Sequence, residues 1–427
     1  MKLSKKIKFN EFLLVGILLF TVLSGAVRKW ITNNGGINNI ITLMQILVVY
    51  LLVFIKGRST LSNKNIAGIF FIYVSYLVIA AFNPLSPSIY HTISGLIIHL
   101  SFWLGLFVYI ANRDFIKFDR FYYLILVLII LEAILAIIQY QMPRESAINQ
   151  YVIEQEFDEE SALKIAMVGN AVRVTGTFSY IAGFSAFVLF VQLFSFSLFY
   201  REDKNKHFAI IGVALSLILA FLTGSRSTTI INIFLTISFF VFQLRNYNYK
   251  QLISILGGLF LIISINLSIG DPLHTIDFVS NSYENLDTRF EDNRDEGQGR
   301  ILTPINTLIN NEFPNKIIGN GLGISYPAIV AVKGTSKVAE TFWVQDDEIG
   351  RTLLEGGYIL LILKLLLIIT ALKLLQMDKR FMTIAFSLIF IYMPLTTNIY
   401  NIVFFLMGII YLEQAILSSK NTEISLK

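Results

Sequence analysis

Leu353-Leu354-Glu355-Gly356-Gly357-Tyr358-Ile359-Leu360-Leu361-Ile362-Leu363-Lys364, running on to Leu375, is where a long polar stretch becomes an apolar run. At 1.5 Å per residue, roughly 20 mostly apolar residues in a helix cross the hydrocarbon of a bilayer. The residues just before it include Gly319-Asn320-Gly321-Leu322-Gly323 and Trp343-Val344-Gln345-Asp346-Asp347-Glu348. Ionisable and glycine-rich residues thus gather at one mouth of a membrane bundle, and chemistry at a lipid–water boundary is the expectation.

Working outward, apolar runs of the same kind recur along the whole chain. They lie near Phe12–Val27, Ile40–Ile55, Ile66–Ala81, Ile93–Ala111, Phe121–Met142, Phe178–Tyr200, Phe208–Thr223, Thr228–Leu244 and Gln251–Leu267, and after the polar stretch at Leu353–Leu375, Phe381–Thr396 and Ile402–Ile416. The pattern predicts an all-α polytopic membrane protein with about 12 transmembrane helices. Spans one to nine occupy 1–267, one large extracytoplasmic loop occupies 268–352, and spans ten to twelve with a cytoplasmic tail occupy 353–427. Composition agrees: 55% of the 427 residues are hydrophobic and 15% charged, against about a quarter charged in soluble proteins. Mean hydropathy is +0.66. These values exclude a soluble fold. The net charge of +5 sits in short loops with a topological explanation, so nucleic acid is not expected as a partner. The chain has no cysteine, which excludes disulfides and thiolate chemistry, and its four histidines lack metal-ligand spacing. Neither a metal nor a cofactor is expected.

Basic residues set the orientation. With a cytoplasmic amino terminus, 20 of the 34 fall in short inner segments, among them Lys2, Lys5, Lys6 and Lys8, Arg113, Lys117 and Arg120, and Lys373, Lys379 and Arg380. The short outer loops hold only Arg28, Lys29 and Arg226. Short loops are the ones that decide orientation, so both termini are read as cytoplasmic. Ser24-Gly25-Ala26 mimics a signal-peptidase site, but Arg28-Lys29-Trp30 reads as an interfacial anchor. Two outer segments are long: the acidic 143–177, and 268–352. In the second, Thr303-Pro304 with Ile305, Leu308, Ile309 and Glu312 predicts a short amphipathic helix that Pro314 ends.

Several polar residues need an explanation. Arg226 lies in Thr223-Gly224-Ser225-Arg226-Ser227-Thr228-Thr229 between two spans. An arginine near hydrocarbon faces water, a carboxylate or a phosphate. It is either a turn residue reaching the interface or a phosphate ligand gripped by paired hydrogen bonds. Arg173 opens Arg173-Val174-Thr175-Gly176-Thr177-Phe178, and Arg300 follows Gly297-Gln298-Gly299. Each alone reads as a solvated charge; three assigned to one face carry more information. Gly319, Gly321 and Gly323 lack the strand–turn–helix of a dinucleotide fingerprint and read as a tight turn needing positive φ. Asp292, Asp295 and Glu296 do not fit an EF-hand loop. Asp346, Asp347 and Glu348, followed by Arg351 and Glu355, are either an acidic first turn favoured by the helix dipole or the source of a general base. Glu132 and Lys364 lie within apolar runs, as a pair holding the bundle or as functional charges. Glu413, toward the inner end of the last run, raises the same question.

Taken together, these residues resemble the O-antigen polymerase and ligase family of bacterial envelope glycosyltransferases. Arg173-Val-Thr-Gly-Thr-Phe is similar to its Arg-x-x-Gly-Thr-Phe element, and Gly224-Ser225-Arg226 to its Ser-Arg-Gly element, with Ser227 where glycine is common. Arg300, the Gly-x-Gly-x-Gly turn and Leu354-Glu355-Gly356-Gly357 resemble the frame of its large loop. Ligases of the family carry a histidine where Asp346 stands, so the resemblance points to a polymerase. It implies a GT-C-like helical bundle in a bacterial cytoplasmic membrane, acting without metal on undecaprenyl-pyrophosphate-linked glycans as donor and acceptor. A flippase and a chain-length regulator are the protein partners such an enzyme would have. The product would be O-antigen, capsule or exopolysaccharide. On this reading Arg226, Arg300, Arg173 and Arg351 bind pyrophosphate. Asp346 is the candidate base with Glu348 second, Arg226 and Arg300 act on the leaving group, and Gly176, Gly319, Gly321, Gly323 and Glu355 shape the site. The alternatives are an O-antigen ligase and, from another class, a flippase or transporter for lipid-linked oligosaccharide. Transporters place their sites at helix breaks in repeated halves, and no repeat is evident here.

Overall fold

A computed structural model describes residues 2–32, 34–55, 64–117, 121–150, 167–168, 171–201, 206–243, 306–310, 313–326, 329–330, 333–334, 336–341, 347–395 and 398–425. Regular structure among them is helical, apart from a two-residue antiparallel pair, Met167–Val168 with Ala171–Val172. The principal helices are α1 (Lys2–Ala26), α2 (Gly35–Val48), α3 (Lys64–Ala81), α4 (Ile89–Asn112), α5 (Tyr122–Gln141), α6 (Ile181–Leu198), α7 (Lys206–Leu222), α8 (Arg226–Ser238), α9 (Glu348–Leu374), α10 (Lys379–Tyr392) and α11 (Ile399–Ser425). A π-helical turn, Val27–Ile31, extends α1, and a 3-10 segment, Val49–Phe54, extends α2.

Eight helical stretches among the described residues are long and apolar enough to cross a membrane, and two shorter apolar helices, Ala67–Ala81 and His207–Leu222, accompany them. The chain is therefore a multi-pass membrane protein. Of the twelve runs read from sequence, Gln251–Leu267 lies outside the described residues, and α10 at 14 residues is too short to count by length alone. The start of the amphipathic helix expected from Thr303 is likewise outside them; residues 306–310 are helical.

The chain divides into two compact units. The first comprises Met1–Thr21, Asn39–Phe121 and Arg300–Gln414; the second comprises Val22–Asn38, Tyr122–Gly299 and Ala415–Lys427. In the second, α6 is apolar on every side and almost wholly buried, as expected of a central helix. Phe184, Phe187, Phe190 and Phe194 line it as a ladder of rings about 6 Å apart. In the first, α4 plays that part, with Phe102 stacked on Phe405 of α11 at 5.7 Å.

Hydrogen bonds tie helix ends together within the first unit. Asn10 of α1 donates to Phe115 O just past α4. Arg113, at the end of α4, donates to Leu374 O at the end of α9 and to Glu413 of α11. Glu413 also accepts from Gln376 N. The glutamate flagged in the last span thus clasps the end of α4 and the chain just past α9 to α11. The opposite end of this unit collects the end of α3, the start of α4 and the Gly319–Ser325 turn.

The helix α9 is two segments. Gly357 breaks it with φ 63°, ψ −166°, and Tyr358 N and Ile359 N bond to Lys316 O and Ile317 O instead of continuing the ladder. Lys364 Nζ nevertheless hydrogen-bonds Glu348 and Thr352. In a continuous helix 16 residues span about 24 Å, beyond the reach of the two side chains. Segment 348–356 therefore folds back sharply against segment 358–374. The glycine pair legible in the sequence is this hinge: a Cβ at Gly357 would collide with the carbonyl of Ile317.

Candidate functional site

Two of the sequence motifs meet in the second unit. α8 opens at Arg226, where Ser225 caps the helix by accepting from Thr228 N and Gly224 turns the chain at φ 59°. A serine before an apolar run is a favoured cap because its oxygen satisfies one of the orphan amides of the first turn. Arg173 lies alongside: its Nε donates to Thr223 O at 3.1 Å, and Val174 N bonds Leu222 O at 3.4 Å. The Arg-x-x-Gly-Thr-Phe stretch and the Gly-Ser-Arg turn, 50 residues apart in sequence, are thus bound together where α7 ends and α8 begins. Arg173 and Arg226 are both partly exposed there. Two guanidinium groups, the Ser225 and Ser227 hydroxyls and a helix amino terminus form a collection of donors suited to an anion.

Beneath this rim lies a polar box. Thr175, Gly176 and Thr177 pass between buried side chains of two helical elements. Lys29 Nζ donates to Thr175 Oγ1 at 2.8 Å and Gly176 O at 2.9 Å. Gln139 of α5 accepts from Thr175 N and Gly176 N and donates to Gly176 O. Glu132, one α5 turn-pair earlier, accepts from Thr177 N at 3.1 Å and Thr177 Oγ1 at 2.6 Å. Gly176 holds φ 54°, and a Cβ there would strike the Glu132 carboxylate. Arg28 reaches Ser179 Oγ at 3.2 Å. The expected interfacial anchor is therefore only Trp30. The π-turn rotates Arg28 and Lys29 inward, leaving them 7% and 4% exposed.

In the first unit, the Gly319–Ser325 turn is built around Glu355. Its Oε2 accepts from His99 Nε2 at 2.8 Å and Gly323 N at 2.7 Å, and its Oε1 from the amide and hydroxyl of Ser325. Gly319, Gly321 and Gly323 all have positive φ, as the tight-turn reading requires. Tyr76 OH donates to Gly356 O, and Asn83 Nδ2 to Gly319 O, tying α3 to the hinge and the turn. Arg351 is buried, with Nη1 on Ser325 O at 2.8 Å. Glu348 is buried against Lys364. Asp347 caps α9 through Gly350 N. Burial, opposed by the Gly350 amide and aided by the Glu348 charge, pushes its carboxyl up to about 6. Glu132 and Lys364, weighed as a pair from sequence, fall in different units, and each has hydrogen-bond partners within its own.

Arg300 and Asp346, and the Asp292–Glu296 acids, lie outside the described residues. Among the described residues no group of three histidine or acidic side chains is placed to hold a metal ion. Sequence reasoning missed His99, Lys29 and Gln139 as members of these networks. His99 was findable, since an ionisable residue inside an apolar run asks for a buried partner. Lys29 was not, because a basic residue at a span's end reads as an anchor until the π-turn is seen. Comparison of the chain with protein-family models, curated proteins and solved structures gives no match.

Proposed function

We propose that this protein is a polysaccharide polymerase of the O-antigen polymerase type, a glycosyltransferase that joins lipid-pyrophosphate-linked repeat units. The observation that carries the reading is that Arg173 and Val174 hydrogen-bond Thr223 O and Leu222 O, the residues that lead into the Gly224-Ser225-Arg226 turn. In the reaction, a sugar hydroxyl of one repeat unit attacks the anomeric carbon of a second glycan. The carbon–oxygen bond to the prenyl diphosphate breaks, the diphosphate leaves with the electron pair, and a carboxylate takes the hydroxyl proton. Negative charge grows on the leaving group as the bond breaks, so guanidiniums placed there stabilise the transition state more than the ground state. Arg226 and Arg173 serve that role; Arg300 and Arg351 are assigned to pyrophosphate by the sequence resemblance alone. Asp346 is the base. Of the neighbouring acids, Glu348 is held by Lys364 and Asp347 caps α9 through Gly350 N.

The setting we infer is a bacterial cytoplasmic membrane, with about twelve spans in a GT-C-like arrangement and both termini cytoplasmic. The site then faces outward, the prenyl chain lies between spans, and a flippase and a chain-length regulator act beside the enzyme. A second reading, a carrier of lipid-linked oligosaccharide, is favoured by the break at Gly357, because transporters bind substrate at interrupted helices. Glycan profiling of a deletion strain tests both. Single-repeat products are the expected result; repeats stranded inside the cell would favour the carrier, and polymer left unattached would mark a ligase.

A further inference from the structure

Buried Lys29 and Glu132 have no part in the reaction described above, yet both grip the stretch that carries Arg173. We infer that Lys29 and Glu132 are positioning residues for the anion site, an inference that rests on the pyrophosphate reading of Arg173 and Arg226. Lys29 comes from the π-turn after α1 and grips Thr175 and Gly176 from one side. Glu132 comes from α5 and grips Thr177 through both its amide and its hydroxyl. Gly25 admits the same stretch to α1: a Cβ there would meet the Thr177 carbonyl and the Phe178 backbone.

The consequence runs along the backbone. With 175–177 fixed, Val174 N reaches Leu222 O and Arg173 Nε reaches Thr223 O, three and two residues before the Ser225 cap. The direction of Arg173, and the seat of the turn that presents Arg226, are then set by two charges that touch no substrate. A lysine and a glutamate this deeply buried are retained at a desolvation penalty that apolar residues of similar size would avoid. A geometric task for the site accounts for them.

The chain has no cysteine, so Val174→Cys with Leu222→Cys creates a single thiol pair. In the full-length protein in nanodiscs, bridging of this pair by a short bifunctional thiol reagent reads the seat of the stretch against α7. Binding of farnesyl pyrophosphate reads the anion site. Lys29→Met alone removes a buried cation while a buried carboxylate remains and endangers folding, so the informative variant is Lys29→Met with Glu132→Gln. It is expected to lose bridging and to weaken farnesyl pyrophosphate at least tenfold, while Lys29→Arg keeps both. Unchanged bridging or unchanged affinity in the double variant overturns the inference. If the parent chain and Arg226→Ala bind the probe equally, or neither binds it, the pyrophosphate reading falls and takes the inference with it. If Arg226→Ala loses binding and the double variant does not, the reading stands and the inference alone is wrong.

Discussion

The two motif-bearing regions use their ionisable residues differently. Around Glu355, every described acid is taken up inside the protein: Glu355 by His99, Gly323 and Ser325, Glu348 by Lys364, and Asp347 by the start of α9. Around Arg173 and Arg226, the buried charges sit one layer down, in Lys29 and Glu132, while the two arginines remain partly exposed at a helix start. A charge near a membrane is a functional candidate by default, but here geometry separates charges buried among partners from charges left partly exposed. Substitutions in the first region should act on stability, and those at the rim on activity.

The largest stability effect is expected for Glu355→Ala. It strands the His99, Gly323 and Ser325 donors in a buried setting, and removing one member of such a network costs about 3–5 kcal/mol. Folded protein recovered in detergent should fall sharply; near-normal recovery would show that the turn is held by other means. Lys364→Met comes next, taking from buried Glu348 its lysine partner at a similar cost. Adding Glu348→Gln should restore much of the loss, and a double variant no better than the single one would place the stabilisation elsewhere. Gly357→Ala forces a side chain into a backbone region open to glycine, at about 1–3 kcal/mol. Measured as thermal unfolding, a shift near zero would argue that α9 is not folded back at this residue.

Asp347→Asn is a smaller change, because asparagine caps a helix as well as aspartate does. Its signature is pH dependence. The folded carboxyl lies near 6, above its value of about 4 in the unfolded chain. Its contribution to stability is therefore fully present below about pH 4 and is lost as pH rises to about 6. Unfolding temperatures of the parent should decline over that window relative to Asp347→Asn. Parallel curves would mean that Asp347 is not buried as described.

Much of this architecture was readable in advance because apolar length locates a spanning helix whatever its neighbours are. Phe121–Met142 became Tyr122–Gln141, and Phe178–Tyr200 became Ile181–Leu198. Helix starts were read less well where polar residues continue the helix: α1 begins at Lys2 and α9 at Glu348, before their apolar windows open. The positive-φ turn of Gly319, Gly321 and Gly323 followed from residue type. What binds to it did not, because His99 and Glu355 are 256 residues apart and nothing local couples them. The fold-back of α9 was similarly hidden: Gly356-Gly357 announces flexibility, but only the Lys364–Glu348 bond reveals its direction.

Arg226→Ala should leave stability within about 0.5 kcal/mol of the parent and yet have the largest effect on chemistry. The direct measurement is chain extension by the purified protein and this variant, supplied with pyrophosphate-linked repeat units, with unfolding temperatures recorded alongside. Loss of one group that stabilises transition-state charge is expected to lower kcat by about 10²–10³-fold at an unchanged unfolding temperature. Polymer of normal length and rate from Arg226→Ala would contradict the account.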